Sequence, residues 1–560
     1  QAVRSRLPLV RELPAPSPAP RRRDHLAHPP TPTPDPNPLS PLSRVEPVKD
    51  LSGSLGEGTE VQSFHGLAKK LLHQGLPGTP PNIHYRPFTF IRLAAEDLLL
   101  IEGLTMDEME IGQRFRSLEP DSTAVVSTLR SGDYYRAVGY DDSVFRVYRA
   151  LRDNPDYVPA YAQVVVDEFQ DFCALEVELI KALAGSSPTL IVGDDDQALY
   201  AFRDASPDAI RELAAEGQYQ RFELPFCSRC TEVLVAATHT VVDRAKANGL
   251  LTGRLDKRYE CYLPGKSAES ALYPKIKHFS CSTHNRQSPY IGRLIAECIR
   301  RIPAGEIAES YAETFPTAMI IAPEPFRSFV EKYLGDAGFQ LVGSPETNGI
   351  DDLVFAYRLL AKEPDSNFAW RIIAGTAQPD GWEEAVREAV TSGTPLVTLL
   401  QEAFLDGQRD IAALVAKAYG DEDMSSEDRN SLADALAVSV DELDDQLAPP
   451  EPDTPDPWDE TKPLVMVTSL MGSKGLQAGH VFIAGINAGH FPRNNQAPNN
   501  EEVCQLLVAL TRARKSCTLV STRRLGDAQL GKSVFVDWLE PHIDQTVYAN
   551  KTYIEAFEAS

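Results

Sequence analysis

The chain has 560 residues, is 42% hydrophobic and 24% charged, and carries a formal net charge of −25; its length exceeds a single hydrophobic core and calls for about three or four units. No apolar stretch approaches the roughly 18 residues of a membrane span, and the amino end has no secretory apolar region, since Pro8 interrupts its longest patch, Leu7 to Val10. The expected compartment is therefore cytoplasmic, with no membrane partner, and the acidic balance excludes coating of nucleic acid by bulk attraction while leaving room for a local basic channel.

Thirteen of the 43 prolines fall in residues 1–47, beside Arg21-Arg22-Arg23. Such text cannot bury enough apolar surface to pack, and residues 1–60 are expected to be a disordered or misread segment. From about Val61 the chain turns globular: Phe64 to Leu72 has helical apolar spacing, and a charged, mostly helical stretch follows to about residue 155. Two strand-like runs come next, Val164-Val165-Val166 and one ending at Gly193-Asp194, separated by the helix-like Ala174 to Ala184. Residues 222–250 read as a turn feeding an amphipathic helix. Residues 275–345 read as helix, strand (Ala318 to Ala322), helix and strand (Gln340 to Val342). A largely helical region from about 350 to 447 ends in a proline and acid-rich linker to Trp458, after which Leu464 to Thr468 and Val481 to Ile486 resume a strand pattern.

The chemistry is concentrated where the first strand-like run ends, in Asp167-Glu168-Phe169-Gln170-Asp171. An Asp at a strand end can hold magnesium, and a neighbouring Glu can orient and deprotonate a water. Taken alone, the pair reads first as an acidic cap on a strand-to-helix turn, and only its context turns it toward chemistry. The second acidic turn, Gly193-Asp194-Asp195-Asp196-Gln197-Ala198-Leu199-Tyr200-Ala201-Phe202-Arg203-Asp204, begins 26 residues after Asp167. A parallel sheet binds ligands at the carboxyl ends of its strands, so both turns can serve one magnesium-bound phosphate.

Together the two blocks resemble motifs II and III of the UvrD/Rep/PcrA family of superfamily 1 helicases. The resemblance implies that Asp167 holds Mg2+, Glu168 activates water, Gln197 contacts the γ-phosphate, and Tyr200, Phe202 and Arg203 touch single-stranded DNA. The family usually has Gly where Asp204 stands. Aromatic stacking on bases is worth on the order of 1 to 3 kcal/mol each and tolerates any base.

Further matches arrive in the family's order. Gln62-Ser63-Phe64-His65-Gly66 resembles its Thr-Phe-His motif, which makes Phe64 and His65 candidate DNA residues. Leu224-Pro225-Phe226-Cys227-Ser228-Arg229-Cys230 resembles motif IV, whose Arg reaches the γ-phosphate; Arg229 keeps the register while Cys227 and Ser228 replace Asn and Tyr. Thr468 to Gln477 resembles motif V, with Gly475 and Gln477 on the nucleotide side, Met471 in place of the common His and Gln477 in place of Glu. Leu507 to Arg514 resembles motif VI, which gives Arg512 the role of an arginine finger, worth about 10³ to 10⁵ in rate. The eight cysteines form no disulfide framework. Cys227 and Cys230 make one Cys-x-x-Cys, with Cys261 and Cys281 as further sulfur ligands were a metal site present; motif IV accounts for the segment more simply.

The family also has a Gly-x-x-x-x-Gly-Lys-Thr loop whose N–H groups cradle the phosphates. Near residues 5–15, where that loop should fall, stands Ser5-Arg6-Leu7-Pro8-Leu9-Val10-Arg11. An imitation at Gly53 to Glu60 puts Thr59 and Glu60 where Lys and Ser/Thr are needed. A wrong reading frame, a truncation fused to a disordered leader, and a degenerate helicase that keeps DNA binding without hydrolysis all remain open.

The resemblance implies an α/β fold with two RecA-like parallel-sheet motor domains of the P-loop NTPase kind and mainly helical insertions. The first would take residues 61–270, with a returning strand near 120–128 and insertions at about 66–118 and 130–154. The second would take 271–360 and 460–560, interrupted by a smaller helical insertion at 361–459. The implied activity is ATP-dependent, Mg2+-dependent translocation or unwinding with 3′ to 5′ polarity, on single-stranded DNA or a 3′-tailed duplex. The alternative is a binding protein that holds single-stranded DNA without fuel.

Overall fold

Runs of apolar residues without alternation, such as Ala318-Met319-Ile320-Ile321 and Val481-Phe482-Ile483-Ala484, belong in a parallel sheet covered on both faces, and a computed structural model of the chain places them there. The structure describes residues 59–560 apart from 186, 200–202, 218, 283–288, 343–350, 420–423, 437, 441–442 and 444–457. The amino-terminal segment and its Gly53 loop, except Thr59 and Glu60, lie outside these residues. The chain divides into two compact units, one holding Arg211–Val342 and Asp459–Ser560, the other Glu46–Ile210 and Gly343–Trp458.

The first unit is built on a seven-stranded sheet in the order Ile543–Ala549, Ile276–Cys281, Ala513–Thr522, Ala478–Ala484, Ala318–Ile321, Leu464–Thr468, Gln340–Val342. Every pairing in it is parallel. Strands from 276–342 interleave with strands from 464–549, so the sheet exists only when both segments fold together. Met319 pairs with Val481 on one side and Met466 on the other, at the buried centre. The strand Ile276–Cys281 was expected to be helix. Its run Ile-Lys-His-Phe-Ser-Cys hides its burial because His278 carries a polar ring, and that ring is satisfied by Thr546 Oγ1 at 2.9 Å and Ser521 Oγ at 3.0 Å on the flanking strands.

The second unit is mostly helical. One apolar core gathers Ala68, Leu71 and Leu72 from the helix Phe64–His73 with Phe115, Phe145, Leu175 and Leu179. Another packs Phe90, Leu93 and Ala94 of the helix Pro87–Glu102 against Phe368, Trp370, Val386 and Leu405. Between these last helices Arg371 donates to Asp97 at 2.9 Å, with both side chains fully buried. The described part of 361–459 is thus helical and packs on Pro87–Glu102. The returning strand expected near 120–128 is instead the first half of a helix, Thr123–Tyr135. Val125-Val126 is β-branched but too short to fix a period, and burial of Ala124, Val125, Thr128, Leu129 and Gly132 follows the helical spacing.

Two short parallel strands, Val164–Val166 and Thr189–Ile191, pair in this unit through Val165 opposite Leu190, with the helix Ala174–Ala184 between them in sequence. Both expected strands and the helix fall where the sequence placed them. The architecture is mixed α/β, with one large parallel sheet and many helices. No helix among the described residues is long and apolar enough to cross a membrane.

Candidate functional site

The acidic turn leaves the strand Val164–Val166 at its carboxyl end. Asp167 is exposed, and its Oδ1 accepts the backbone N–H of Glu168 at 2.9 Å. Glu168 sits at φ 54°, ψ 38°, a left-handed conformation that costs a non-glycine residue energy and that recurs at functional turns. Phe169 and Gln170 behind it are buried, and the N–H of Phe169 donates to the Val192 carbonyl at 3.0 Å, which ties this turn to the next one.

Gln170 makes the second tie. Its Nε2 donates to Glu168 Oε2 at 2.7 Å, and its Oε1 accepts the N–H of Asp194 at 2.9 Å. Asp194 in turn accepts the N–H of Asp196 at 3.1 Å and Nε2 of Gln197 at 2.7 Å. A continuous hydrogen-bonded chain therefore runs from Glu168 through Gln170 and Asp194 to Gln197. Gly193 leaves room for it: a Cβ there would stand 2.7 Å from Gln170 Oε1 and 2.6 Å from Ile210 Cδ1.

Asp194, Asp195 and Asp196 each bring one carboxylate oxygen within 4.8 Å of the others, with Asp195 and Asp196 buried. Together with Asp167 and Glu168 the available ligands are carboxylate oxygens, the donors a hard divalent cation such as Mg2+ prefers. Asp167, Glu168 and Gln197 are brought together on adjacent strand ends.

Phe64 and His65 open the helix Phe64–His73, whose cap Ser63 accepts the N–H of Gly66 at 3.1 Å. The Phe64 ring meets Phe172 edge-on at 4.8 Å, just past the acidic turn, and His65 meets Tyr140 edge-on at 4.8 Å. Burial first, and then the Arg203 charge, hold the His65 imidazole down to about 4; its Nε2 is buried without a hydrogen-bond partner. Arg203 lies 3.8 Å from Asp141 and 4.0 Å from Glu176. Phe64, His65 and Arg203 therefore share the neighbourhood of both acidic turns. Tyr200 and Phe202 lie outside the described residues.

Asp204, where the resembled family has glycine, adopts φ 58°. It keeps that conformation beside buried Arg116, whose Nε donates to Asp204 Oδ2 at 2.9 Å and whose Nη1 donates to Asp141 Oδ2 at 2.6 Å. Gln113 Nε2 adds a bond to Asp204 Oδ1 at 3.0 Å. The departure from glycine is thus compensated by an ion pair to the helix Glu108–Arg116.

The remaining expected residues belong to the sheet unit. Arg229 Nη1 donates to the Thr511 carbonyl at 3.3 Å, and Arg512 Nη2 donates to Thr511 Oγ1 at 3.2 Å, so both arginines converge on Thr511. Arg512 is buried where the helix Asn500–Thr511 passes into the strand Ala513–Thr522; its Nε donates to the Val508 carbonyl at 3.0 Å and its Nη1 to the Leu476 carbonyl at 3.2 Å. That last bond joins the two carboxyl-terminal motifs. Gly475 turns at φ 77° beside half-buried Gln477. Cys227 and Cys230 do not assemble with Cys261 or Cys281 into a metal cage: among the described residues only Asp194, Asp195 and Asp196 group as three possible ligands.

Sequence reasoning missed Gln170, Arg116 and Asp141. Gln170 stood within the Asp-Glu-Phe-Gln-Asp block, but its complete burial is visible only in the structure; Arg116 and Asp141 carried no signal. A second omission was Gly526-Asp527-Ala528-Gln529-Leu530-Gly531-Lys532-Ser533, which spells a phosphate loop. The structure folds it otherwise. Leu525 pairs with Ala528 in an antiparallel hairpin, the Leu530 N–H donates to Arg523, Val534 N–H donates to Asn495 Oδ1, and Lys532 pairs with Asp537. The Leu530 amide and the Lys532 side chain, two of the groups a phosphate loop would turn to its ligand, are thus engaged elsewhere.

Residues 104–218, which include both acidic turns, match the UvrD/REP helicase N-terminal domain. The chain is 24% identical to DNA helicase II of Haemophilus influenzae across 69% of its own length and 60% of that protein, so it spans about three fifths of that relative. It is 23% identical to DNA helicase II of Escherichia coli, across 87% of this chain and 77% of that one. Against ATP-dependent DNA helicase PcrA of Leuconostoc citreum the identity is 22%, across 89% and 77%.

Proposed function

We propose that this UvrD/Rep/PcrA-like chain is a single-stranded DNA translocase or helicase driven by ATP hydrolysis, built on two RecA-like motor domains with helical insertions. The observation that carries the reading is the hydrogen-bonded chain Glu168–Gln170–Asp194–Gln197, because a motor must couple the residue that activates water to the residue that senses the γ-phosphate. ATP and Mg2+ would supply the phosphoanhydride to be cleaved and the charge neutralisation that cleavage needs. Asp167 would hold the cation, Glu168 would orient and deprotonate the attacking water, and Gln197 would report the state of the γ-phosphate to Arg203, six residues on. Arg229, Arg512, Gly475 and Gln477 are the nucleotide residues the resemblance assigns in the sheet unit.

Phe64, His65, Tyr200, Phe202 and Arg203 are proposed to hold single-stranded DNA or the 3′ tail of a duplex, with 3′ to 5′ polarity implied by resemblance. No phosphate loop is recognisable in residues 1–60, and the string at 526–533 is folded into a hairpin. Turnover by this chain is accordingly proposed to be slow. A titration of fluorescent single-stranded DNA with and without ATP–Mg2+ tests the reading. A motor changes its DNA affinity when nucleotide binds; affinity indifferent to nucleotide, with no hydrolysis, supports the binding-only protein instead.

A further inference from the structure

The segment Cys227-Ser228-Arg229-Cys230 combines features that the nucleotide reading of Arg229 does not use. Phe226–Cys227 is a short strand paired with Glu260–Cys261, and the helix Glu232–Ala247 begins two residues after Cys230. A Cys-x-x-Cys between a strand and a helix amino terminus is the arrangement in which one thiol is activated and the other resolves. The two cysteines here differ in the way that division of labour needs. Cys227 is partly exposed, whereas Cys230 is only 1% exposed. The Cys230 backbone N–H points at Cys227 Sγ from 3.5 Å, so the first sulfur is already seated over the second residue. Cys230 Sγ lies 3.6 Å from the Thr511 carbonyl, within reach of its single S–H when that proton is not turned to Cys227, and Cys261 Sγ donates to the Cys230 carbonyl at 3.3 Å, which leaves Cys261 turned to backbone.

We propose that Cys227 and Cys230 form a thiol–disulfide exchange site whose substrate is a small-molecule disulfide, with Cys227 the attacking sulfur and Cys230 the resolving one. In the first step Cys227 thiolate attacks one sulfur of R–S–S–R, forming a Cys227–S–S–R mixed disulfide and releasing R–S⁻. In the second, Cys230 loses its proton to the released thiolate and attacks Cys227 Sγ, closing the Cys227–Cys230 bond and expelling the second R–S⁻, which takes up the proton lost by Cys227. Two protein thiols are oxidised and one small disulfide is reduced to two thiols. Burial keeps bulky oxidants from Cys230, so entry through Cys227 sets the order.

The electrostatics support this order. The hydrogen bond from the Cys230 thiol, reinforced by the Cys230 and Arg229 N–H groups and the Arg229 charge, brings the Cys227 thiol down to about 6, against burial, while Cys230 is pushed well up. Exchange is fastest when the attacking thiol ionises near ambient pH. A reducing compartment suits such a site, because disulfides there are transient. Closing the bond draws Cys230 Sγ off the Thr511 carbonyl, an acceptor it shares with Arg229. The exchange chemistry is independent of the motor reading, so either can fail without the other.

The test incubates the full chain with mixtures of reduced and oxidised glutathione, quenches in acid, alkylates, and maps the peptides. Cleavage after Arg229 separates Cys227 from Cys230, so the two fragments remain joined only through a disulfide. The expected result is that joined pair, lost again in excess reduced glutathione, with Cys298 still alkylated as a half-buried control. In Cys230→Ser the glutathione adduct should stay trapped on Cys227. Both cysteines remaining reduced, a bond from Cys227 to Cys261, or the absence of an adduct in Cys230→Ser while Cys230 oxidises in the wild type would each overturn the proposal. The wild-type map decides the question even if a variant misfolds.

Discussion

Gln170 holds Glu168 and Asp194 at once, donating to the carboxylate of the first at 2.7 Å and accepting the backbone N–H of the second at 2.9 Å. One buried amide thereby fixes two strand-end turns relative to each other. Its orientation follows from its partners, since only a carbonyl oxygen can accept from Asp194 and only the NH2 can donate to Glu168.

Replacing Gln170 by Leu keeps the volume close but removes both bonds and leaves the Asp194 N–H without that acceptor. The expected loss is about 1 to 3 kcal/mol, the cost of stranding a buried polar group, read from urea unfolding. An unchanged midpoint would mean that the two turns are held by the backbone bonds of Phe169 and Val192 alone.

Gly193→Ala should disturb the same junction by crowding. Its Cβ would stand 2.7 Å from Gln170 Oε1 and 3.3 Å from the Phe169 nitrogen. Overpacking of this kind costs about 1 to 3 kcal/mol. Differential scanning calorimetry would register it as a lower Tm, and an equal Tm would show that Gln170 and Ile210 can move aside freely.

At position 204 two effects can be separated. Asp204→Ala removes the bond to Arg116 and keeps a β-carbon at φ 58°, whereas Asp204→Gly removes the bond but relieves the backbone. The glycine variant should therefore be the more stable of the two by about 1 kcal/mol. Equal stability in chemical denaturation would mean that the left-handed conformation is not retained once the ion pair is gone.

His65 makes stability depend on pH in a defined direction. Its folded value is lowered to about 4 from 6.5 by burial and by Arg203, with Tyr140 packed on the ring. Between those values the unfolded chain binds the extra proton, so the stabilisation is complete above pH 6.5 and is lost as pH falls toward 4. His65→Phe should unfold with a shallower pH dependence than wild type across this window. Parallel curves for the two proteins would show that His65 protonates in the folded state without penalty.

The acidic turns were legible because Val164-Val165-Val166 runs directly into paired carboxylates and both turns place carboxylates where a parallel pair ends. The strands Ala318–Ile321 and Leu464–Thr468 were legible as unambiguous apolar runs, and the helix Ala174–Ala184 by its apolar residues recurring among Glu176, Glu178 and Lys181. Ile276–Cys281 was not, since the partners that satisfy His278 come from strands 243 and 268 residues away. Thr123–Tyr135 was misread because the β-branched pair Val125-Val126 is too short to fix a period. Asp204 looked like a departure from a glycine position until Arg116, 88 residues earlier, was seen to pair with it. Gly526 to Ser533 shows the reverse failure, a string that spells a phosphate loop but is claimed by a hairpin.

The central claim, that Glu168 activates water for ATP hydrolysis coupled to DNA, is tested most directly by steady-state ATP turnover of the full chain and of Glu168→Gln, each with and without single-stranded DNA. The account predicts slow turnover that rises with DNA and falls by about 10² or more in the variant, the usual worth of a general base. DNA-stimulated turnover that survives Glu168→Gln, or no turnover at all beside tight DNA binding, would contradict it.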